Sequence, residues 1–173
     1  MSDFTAIKLI VFDVDGVFTD GGIVLNDRGE ETKRFHVRDG AAIKWAMKLG
    51  MQIAVLTGRS SRVVNLRMTE LGIEHLIQGS KDKLADLAIL LEKTGVPAEN
   101  TAFMGDDLID LPAMKACSAS ITVADGADEA KANADLVTKA KGGHGAVREA
   151  IEHIIKAQGN WQKVVEWYGA HVH

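Results

Sequence analysis

A single cysteine, Cys117, is all the thiol in the 173 residues. That excludes an internal disulfide and leaves a cysteine-rich zinc site without a second sulfur. Long apolar runs are missing too; none approaches the roughly 20 residues of a membrane span. The opening MSDFTAIKLIVF lacks the basic region and small-residue cleavage site of an export signal, so the expected compartment is the cytoplasm. Nor is there an excess of one charge. Twenty Lys and Arg stand against 24 Asp and Glu, a net of −4, with the basic residues scattered. No basic stripe is available for nucleic acid, which points to a small-molecule or protein partner. No repeat and no low-complexity linker divides the chain, and 46% hydrophobic residues suffice for one domain spanning 1–173.

What the chain does have is alternation. The runs IKLIVF, MQIAVL, IEHLIQ, TAFMG, SITVA and DLVTK read as strands, several without period-2 polarity, as expected for strands covered on both faces. Between them, helical patterns over 39–49, 60–71 and 80–94 each stop before a glycine, and Asp39 is a possible cap. This rhythm predicts an α/β fold with a mainly parallel, doubly wound sheet and helices on both faces, three layers in all. The ligand crevice should lie beyond the carboxyl ends of the strands. Two segments break the rhythm. Residues 17–38 predict a β-hairpin turning at DRG, with Gly29 supplying a positive φ. Residues 141–173 run from KGGHG into a helix and then a second helical stretch with Trp161, Val164, Val165 and Tyr168 on one face.

The chemistry is concentrated at strand ends. VFDVDG places Asp13 and Asp15 one residue apart after the first strand, and alternation predicts that they point the same way. Two such charges about 4 Å apart repel by about 4 kcal/mol at an effective dielectric near 20, so a cation must offset them, a hard divalent ion being the obvious one. MGDDLID adds Asp106, Asp107 and Asp110 after another apolar strand. If the two strands are adjacent and parallel, all five carboxylates meet at one edge. Thr57 ends a third strand, and Gly58 beside it would let backbone amides approach an anion. Lys83 sits near a helix start, where a cation is disfavoured unless an anion accompanies it.

This ordered set resembles the haloacid dehalogenase (HAD) superfamily of phosphotransferases, over nearly the whole chain. The resemblance implies a Rossmann-like HAD fold with Asp13 as nucleophile, forming an aspartyl-phosphate, and Asp15 as acid and base. It further implies Mg²⁺ held by Asp13, the Asp15 carbonyl and Asp106, with Asp107 and Asp110 in support. Thr57 and Lys83 would hold the phosphoryl oxygens. Only 42 positions separate Asp15 from Thr57 and 26 separate Thr57 from Lys83, all consumed by the predicted elements, so no cap domain fits. A neighbouring copy is the economical cover for an open site.

DGVFTDGGI, FHVRDGAAI, LTGRSS, GDDLIDLP and KGGHGAVREAIE are similar to the capless HAD branch that includes the 3-deoxy-D-manno-octulosonate 8-phosphate (KDO 8-phosphate) phosphatases. That likeness implies phosphatase activity in lipopolysaccharide synthesis. It also implies a homotetramer with central hairpins, in which Gly142, Gly143, Gly145 and Arg148 help to cover a site, a partner's or the chain's own. Arg59 and Arg67 would bind the sugar acid's carboxylate through paired hydrogen bonds, and His36 to Gly40 form a lip. Phosphatases for nine-carbon sialic-type 9-phosphates are close alternatives. They carry an acidic residue where Arg59 stands and a lysine where Glu70 stands, which favours the eight-carbon substrate. Two other classes compete: a non-catalytic phosphate-sensing receiver, whose accepting Asp would follow the third strand rather than the first, and an assembly subunit of a nucleotide-sugar synthetase. His171 and His173 read as a tail, Trp161, Trp167 and Tyr168 as packing residues, and Cys117 as a small buried hydrophobe. His144 is read as facing either solvent or a partner's site.

Overall fold

All four side chains of β1 (Leu9–Phe12) are buried. Ile10 and Phe12 join one hydrophobic cluster, Leu9 and Val11 another, so the strand has no polar face and its sequence no alternation. The computed structural model describes residues 3–169 and places β1 near the centre of a six-stranded sheet. After the hairpin strands β2 (Val24–Leu25) and β3 (Glu31–Thr32) come β4 (Gln52–Thr57), β5 (His75–Gln78), β6 (Thr101–Met104), β7 (Ala119–Thr122) and β8 (Leu136–Val137). The order is β5-β4-β1-β6-β7-β8, with every pairing parallel. From β1 the chain builds outward to β5, then returns to β6 beside β1 and builds the other way. The switch point therefore lies between β1 and β6.

The helices are α1 (Val37–Lys48), α2 (Arg62–Leu71), α3 (Lys83–Thr94), α4 (Leu111–Ala116), α5 (Asp128–Asn133), α6 (Ala146–Ala157) and α7 (Trp161–Glu166). Side chains of α1, α2, α6 and α7 fill the first cluster, and those of α3 and α4 fill the second. The expected three layers are present. The helices α2 and α3 stop at Gly72 and Gly95, whose φ values of 73° and 67° suit glycine.

Two expectations need correction, and a third point concerns helices not foreseen. First, Asp39 does not cap α1: His36 stands there, and Asp39 is buried in the first turn, its Oδ1 accepting the Arg148 amide at 2.9 Å. A polar residue that reads as a local cap thus joins two helices. Second, α2 and α3 begin later than expected, the latter because Asp82 accepts from the Leu84 and Ala85 amides. Third, α4 and α5, six residues each, escaped the helical pattern because so short a segment shows under two turns of periodicity.

The hairpin forms where expected, with Gly29 at φ 74° and the Asn26 side chain accepting the Arg28 and Glu30 amides. Its apolar residues Ile23, Val24 and Leu25 are exposed. The hairpin and α1 fill the chain between Asp15 and Thr57, while α2 and β5 fill it up to Lys83, leaving no cap domain. At the carboxyl end, Trp161 and Tyr168 pack edge-on against Trp45, and the Trp45 indole donates to the Tyr168 hydroxyl at 2.9 Å. Lys48 lies 3.8 Å above the Trp167 ring. Cys117 is half-buried against the second cluster, and burial pushes its thiol up to about 12. His171 and His173 lie outside the described residues. Among the described residues, no helix is long and apolar enough to cross a membrane.

Candidate active site

Phe12 pairs in register with Met104, and the Asp13 amide donates to the Met104 carbonyl at 2.9 Å. The segments leaving β1 and β6 therefore arrive at the same level, at the switch point. Asp13, Asp106 and Asp110 each present an oxygen there, all within 4.8 Å of one another. Close approach depends on glycine twice. Gly16 has φ 84°, and a Cβ on it would overlap the Asp106 carboxylate; a Cβ on Gly105 would overlap Asp110.

Such crowding raises the carboxyls. Burial first, then the Asp110 charge, pushes Asp13 up to about 6 against the opposing pull of Lys83. Burial and the charges of Asp13, Asp110 and Asp107 push Asp106 up to about 7. One cation is built in. Lys83, the first residue of α3, is buried with its Nζ 3.0 Å from Asp13 Oδ2 and donates to Asp110 Oδ1. The anion that its position in a helix start calls for is thus supplied by these carboxylates. Asp110 is fully engaged, its other oxygen accepting the Asp106 and Asp107 amides at 3.0 and 3.1 Å. Asp107 is exposed and caps the 3₁₀ turn Leu108–Asp110. Asp13 Oδ1, by contrast, is buried without a hydrogen-bond partner.

Strand alternation does not govern Asp13 and Asp15, because the strand ends at Phe12. The amides of Val17, Phe18 and Thr19 all turn back to the Val14 carbonyl, so strand alternation no longer applies. Asp13 turns toward Lys83, whereas Asp15 takes a hydrogen bond from Lys33 and lies 3.5 Å from Arg59 Nε. Both still line one cleft of about 230 Å³ together with Thr57, Gly58, Arg59 and Asp106. A Cβ on Gly58 would meet only the Ser80 carbonyl, at 3.6 Å, so nothing in the protein requires that glycine.

Other residues read from the sequence, Arg59 at the cleft among them, have partners within the chain. Arg59 Nη2 donates to Glu31 at 2.9 Å. Arg67 donates to Glu70 at 2.8 Å and packs beside Gly40. Arg148 bonds Glu152 at 2.6 Å and lies 4.7 Å from the Trp45 ring. Gly142 presses against the Gly16 carbonyl, and the Gly143 amide donates to Val17 at 3.0 Å, so this loop braces the turn after Asp15 of its own chain. The His144 ring bonds the Gly142 carbonyl at 2.7 Å. Neither Arg67 nor Arg148 lines the cleft of its own chain. Sequence reading missed Lys33 and Glu31, which passed as ordinary hairpin charges, and the space-making roles of Gly16 and Gly105. The only signal for the glycines was their place beside the acidic motifs.

A family model described as haloacid dehalogenase-like hydrolase matches residues 75–151. The 3-deoxy-D-manno-octulosonate 8-phosphate phosphatase of Escherichia coli K12 is 45% identical over 153 residues, covering 88% of this chain and 81% of the relative. That of Haemophilus influenzae is 44% identical, covering 88% and 85%. Among solved structures, the enzyme of the same name from Moraxella catarrhalis, in complex with magnesium, phosphate and KDO, superposes with a TM-score of 0.93 at 42% identity. It covers 96% of this chain and 95% of the other. Identity at this level, spread over a shared sheet with the acidic cluster at its switch point, leaves one assignment: the chain belongs to the 3-deoxy-D-manno-octulosonate 8-phosphate phosphatase family of haloacid dehalogenase-like hydrolases.

Proposed function

We propose that this chain is a Mg²⁺-dependent phosphatase that hydrolyses KDO 8-phosphate to KDO and phosphate, serving lipopolysaccharide synthesis. The observation that carries the reading is its 45% identity to phosphatases of that name over 88% of its length. The site chemistry supports it. A hard cation suits the donor set, because three carboxylates crowd together with one lysine on only two of them, and Asp13 Oδ1 is buried and unpartnered. Asp13, Asp106 and the carbonyl of Asp15 would hold the ion, with Asp107 and Asp110 in support. When bound, it supplies positive charge against the phosphoryl oxygens and the attacking carboxylate.

In the first step a carboxylate oxygen of Asp13 attacks phosphorus, the bond from phosphorus to the sugar oxygen breaks, and Asp15 gives that oxygen a proton. In the second, Asp15 takes a proton from water, whose oxygen attacks phosphorus and frees the Asp13 carboxylate with release of phosphate. Thr57 and the Gly58 backbone receive the phosphoryl oxygens, and Lys83 stabilises their charge through its place against Asp13.

The cleft, about 230 Å³, is below the roughly 300–1,000 Å³ typical of ligand pockets. A second surface would complete it, and we assign that surface to other copies in a homotetramer. The exposed apolar hairpin residues Ile23, Val24 and Leu25 support this reading, as centres of assembly. Arg67, Gly143 and Arg148 would then serve a neighbouring site, with Arg59 offering the substrate carboxylate its Nη1 group while Nη2 stays on Glu31. The single reduced cysteine fits a cytoplasmic location.

Comparing kcat/KM for KDO 8-phosphate with that for nine-carbon sugar acid 9-phosphates tests the substrate. A ratio favouring the longer sugars overturns it. Robust turnover by Asp13→Asn with Mg²⁺ present overturns the covalent route, and an active monomer in sedimentation overturns the shared site.

A further inference from the structure

The hairpin stands mostly in solvent, yet one of its side chains does not. The Lys33 side chain is only 1% exposed. Burying an ammonium group is costly unless carboxylates compensate it, and two do. Lys33 Nζ donates to Asp15 Oδ1 and lies 3.4 Å from Glu31 Oε1. Glu31 in turn accepts from Arg59 Nη2 at 2.9 Å, and Arg59 Nε lies 3.5 Å from Asp15 Oδ2. Four alternating charges from three segments close a ring: the turn after β1, the hairpin and the chain after β4.

The ring is asymmetric. Lys33 holds Oδ1 by a hydrogen bond, whereas 3.5 Å is too long for one, so Oδ2 has only a loose ionic neighbour. One oxygen of Asp15 is thereby fixed and the other left for the cleft. We propose that Lys33 is a positioning residue for Asp15, and that Glu31, by seating both Lys33 and Arg59, lets the hairpin set the orientation of that carboxylate. This rests on the assignment of Asp15 as acid and base. It makes the hairpin part of the reaction machinery as well as a candidate assembly surface.

The test measures kcat and KM for KDO 8-phosphate with saturating Mg²⁺ in K33M, K33R, D15N and D15N/K33M, using preparations whose melting and sedimentation match wild type. Proton transfer by a placed carboxylate is worth about 10²–10⁴-fold, so K33M should lower kcat about 100-fold or more with KM within about threefold. K33R should recover kcat to within about tenfold, because a cationic donor returns. D15N/K33M should turn over no more slowly than D15N, since residues acting through one group are not additive. The proposal is overturned if K33M keeps kcat within threefold of wild type, or if K33M slows D15N by the same factor as it slows wild type. Near-normal turnover by D15N would overturn the acid and base assignment itself, a result that K33M alone cannot produce. Should K33M not fold, E31Q stands in: kcat must fall several-fold with KM steady and the loss must vanish on D15N, and an unchanged kcat overturns the idea.

Discussion

Lys83 reaches Asp13 and Asp110 at once from the first turn of α3, 3.0 Å from the former and hydrogen-bonded to the latter. It is the ammonium group within the carboxylate cluster that the protein itself supplies. Substituting it by methionine leaves those buried charges facing each other, and breaking a buried pair from one side costs about 3–5 kcal/mol. In Lys83→Met, urea unfolding with a chelator present should show a loss of about that size, reduced by added Mg²⁺. Turnover should fall at least about 100-fold, the scale set by removing one charge-stabilising donor.

Metal and protons should compete for the same oxygens. Asp13 and Asp106 ionise at about 6 and about 7 in the folded chain, against 3.8 as the ordinary value. Between those limits the metal-free fold binds protons that the unfolded chain has released. Their contribution to stability is therefore fully present below about pH 4 and lost as pH rises through about 6 and 7. With a chelator, the melting temperature should fall over that window, and Mg²⁺ should raise it more at pH 8 than at pH 5.5. Asp106→Asn should flatten the slope; an unchanged slope would remove Asp106 as its cause.

Three glycines in the site should respond differently to alanine. Gly16→Ala sets a Cβ into Asp106 at a positive φ, and Gly105→Ala sets one into Asp110. Each should cost about 1–3 kcal/mol, as overpacking does, and weaken Mg²⁺ binding measured by calorimetry. Gly58→Ala meets only a carbonyl at 3.6 Å. Its melting temperature should hold within about 2 °C, a shift of at most about 0.5–1 kcal/mol for a domain of this size, while KM for the phosphate ester rises.

The broad architecture was legible because burial on both faces leaves a mark in each strand: Leu9–Phe12 and Ala102–Met104 are apolar throughout, and short connections between alternating elements restrict the topology. The acidic motifs were legible by their places at strand ends. The separate partners of the first motif's two carboxylates were not legible, since nothing in VFDVDG says that three amides fold back to Val14. Asp39 was read locally and turned out to hold the Arg148 amide, 109 positions away in the chain. Lys33 and Arg59 meet Asp15 only after the hairpin folds over the cleft, and that long-range charge pairing leaves no periodic trace.

Gly142 and Gly143 lie beneath the turn that follows Asp15, with Asp125 holding the Gly142 amide at 2.9 Å. The last third of the polypeptide is therefore a foundation for the first. Cutting the chain before residue 142 would take away that support together with α6, whose six buried side chains belong to the first cluster, so each subunit would lose its own site whatever its neighbours supplied.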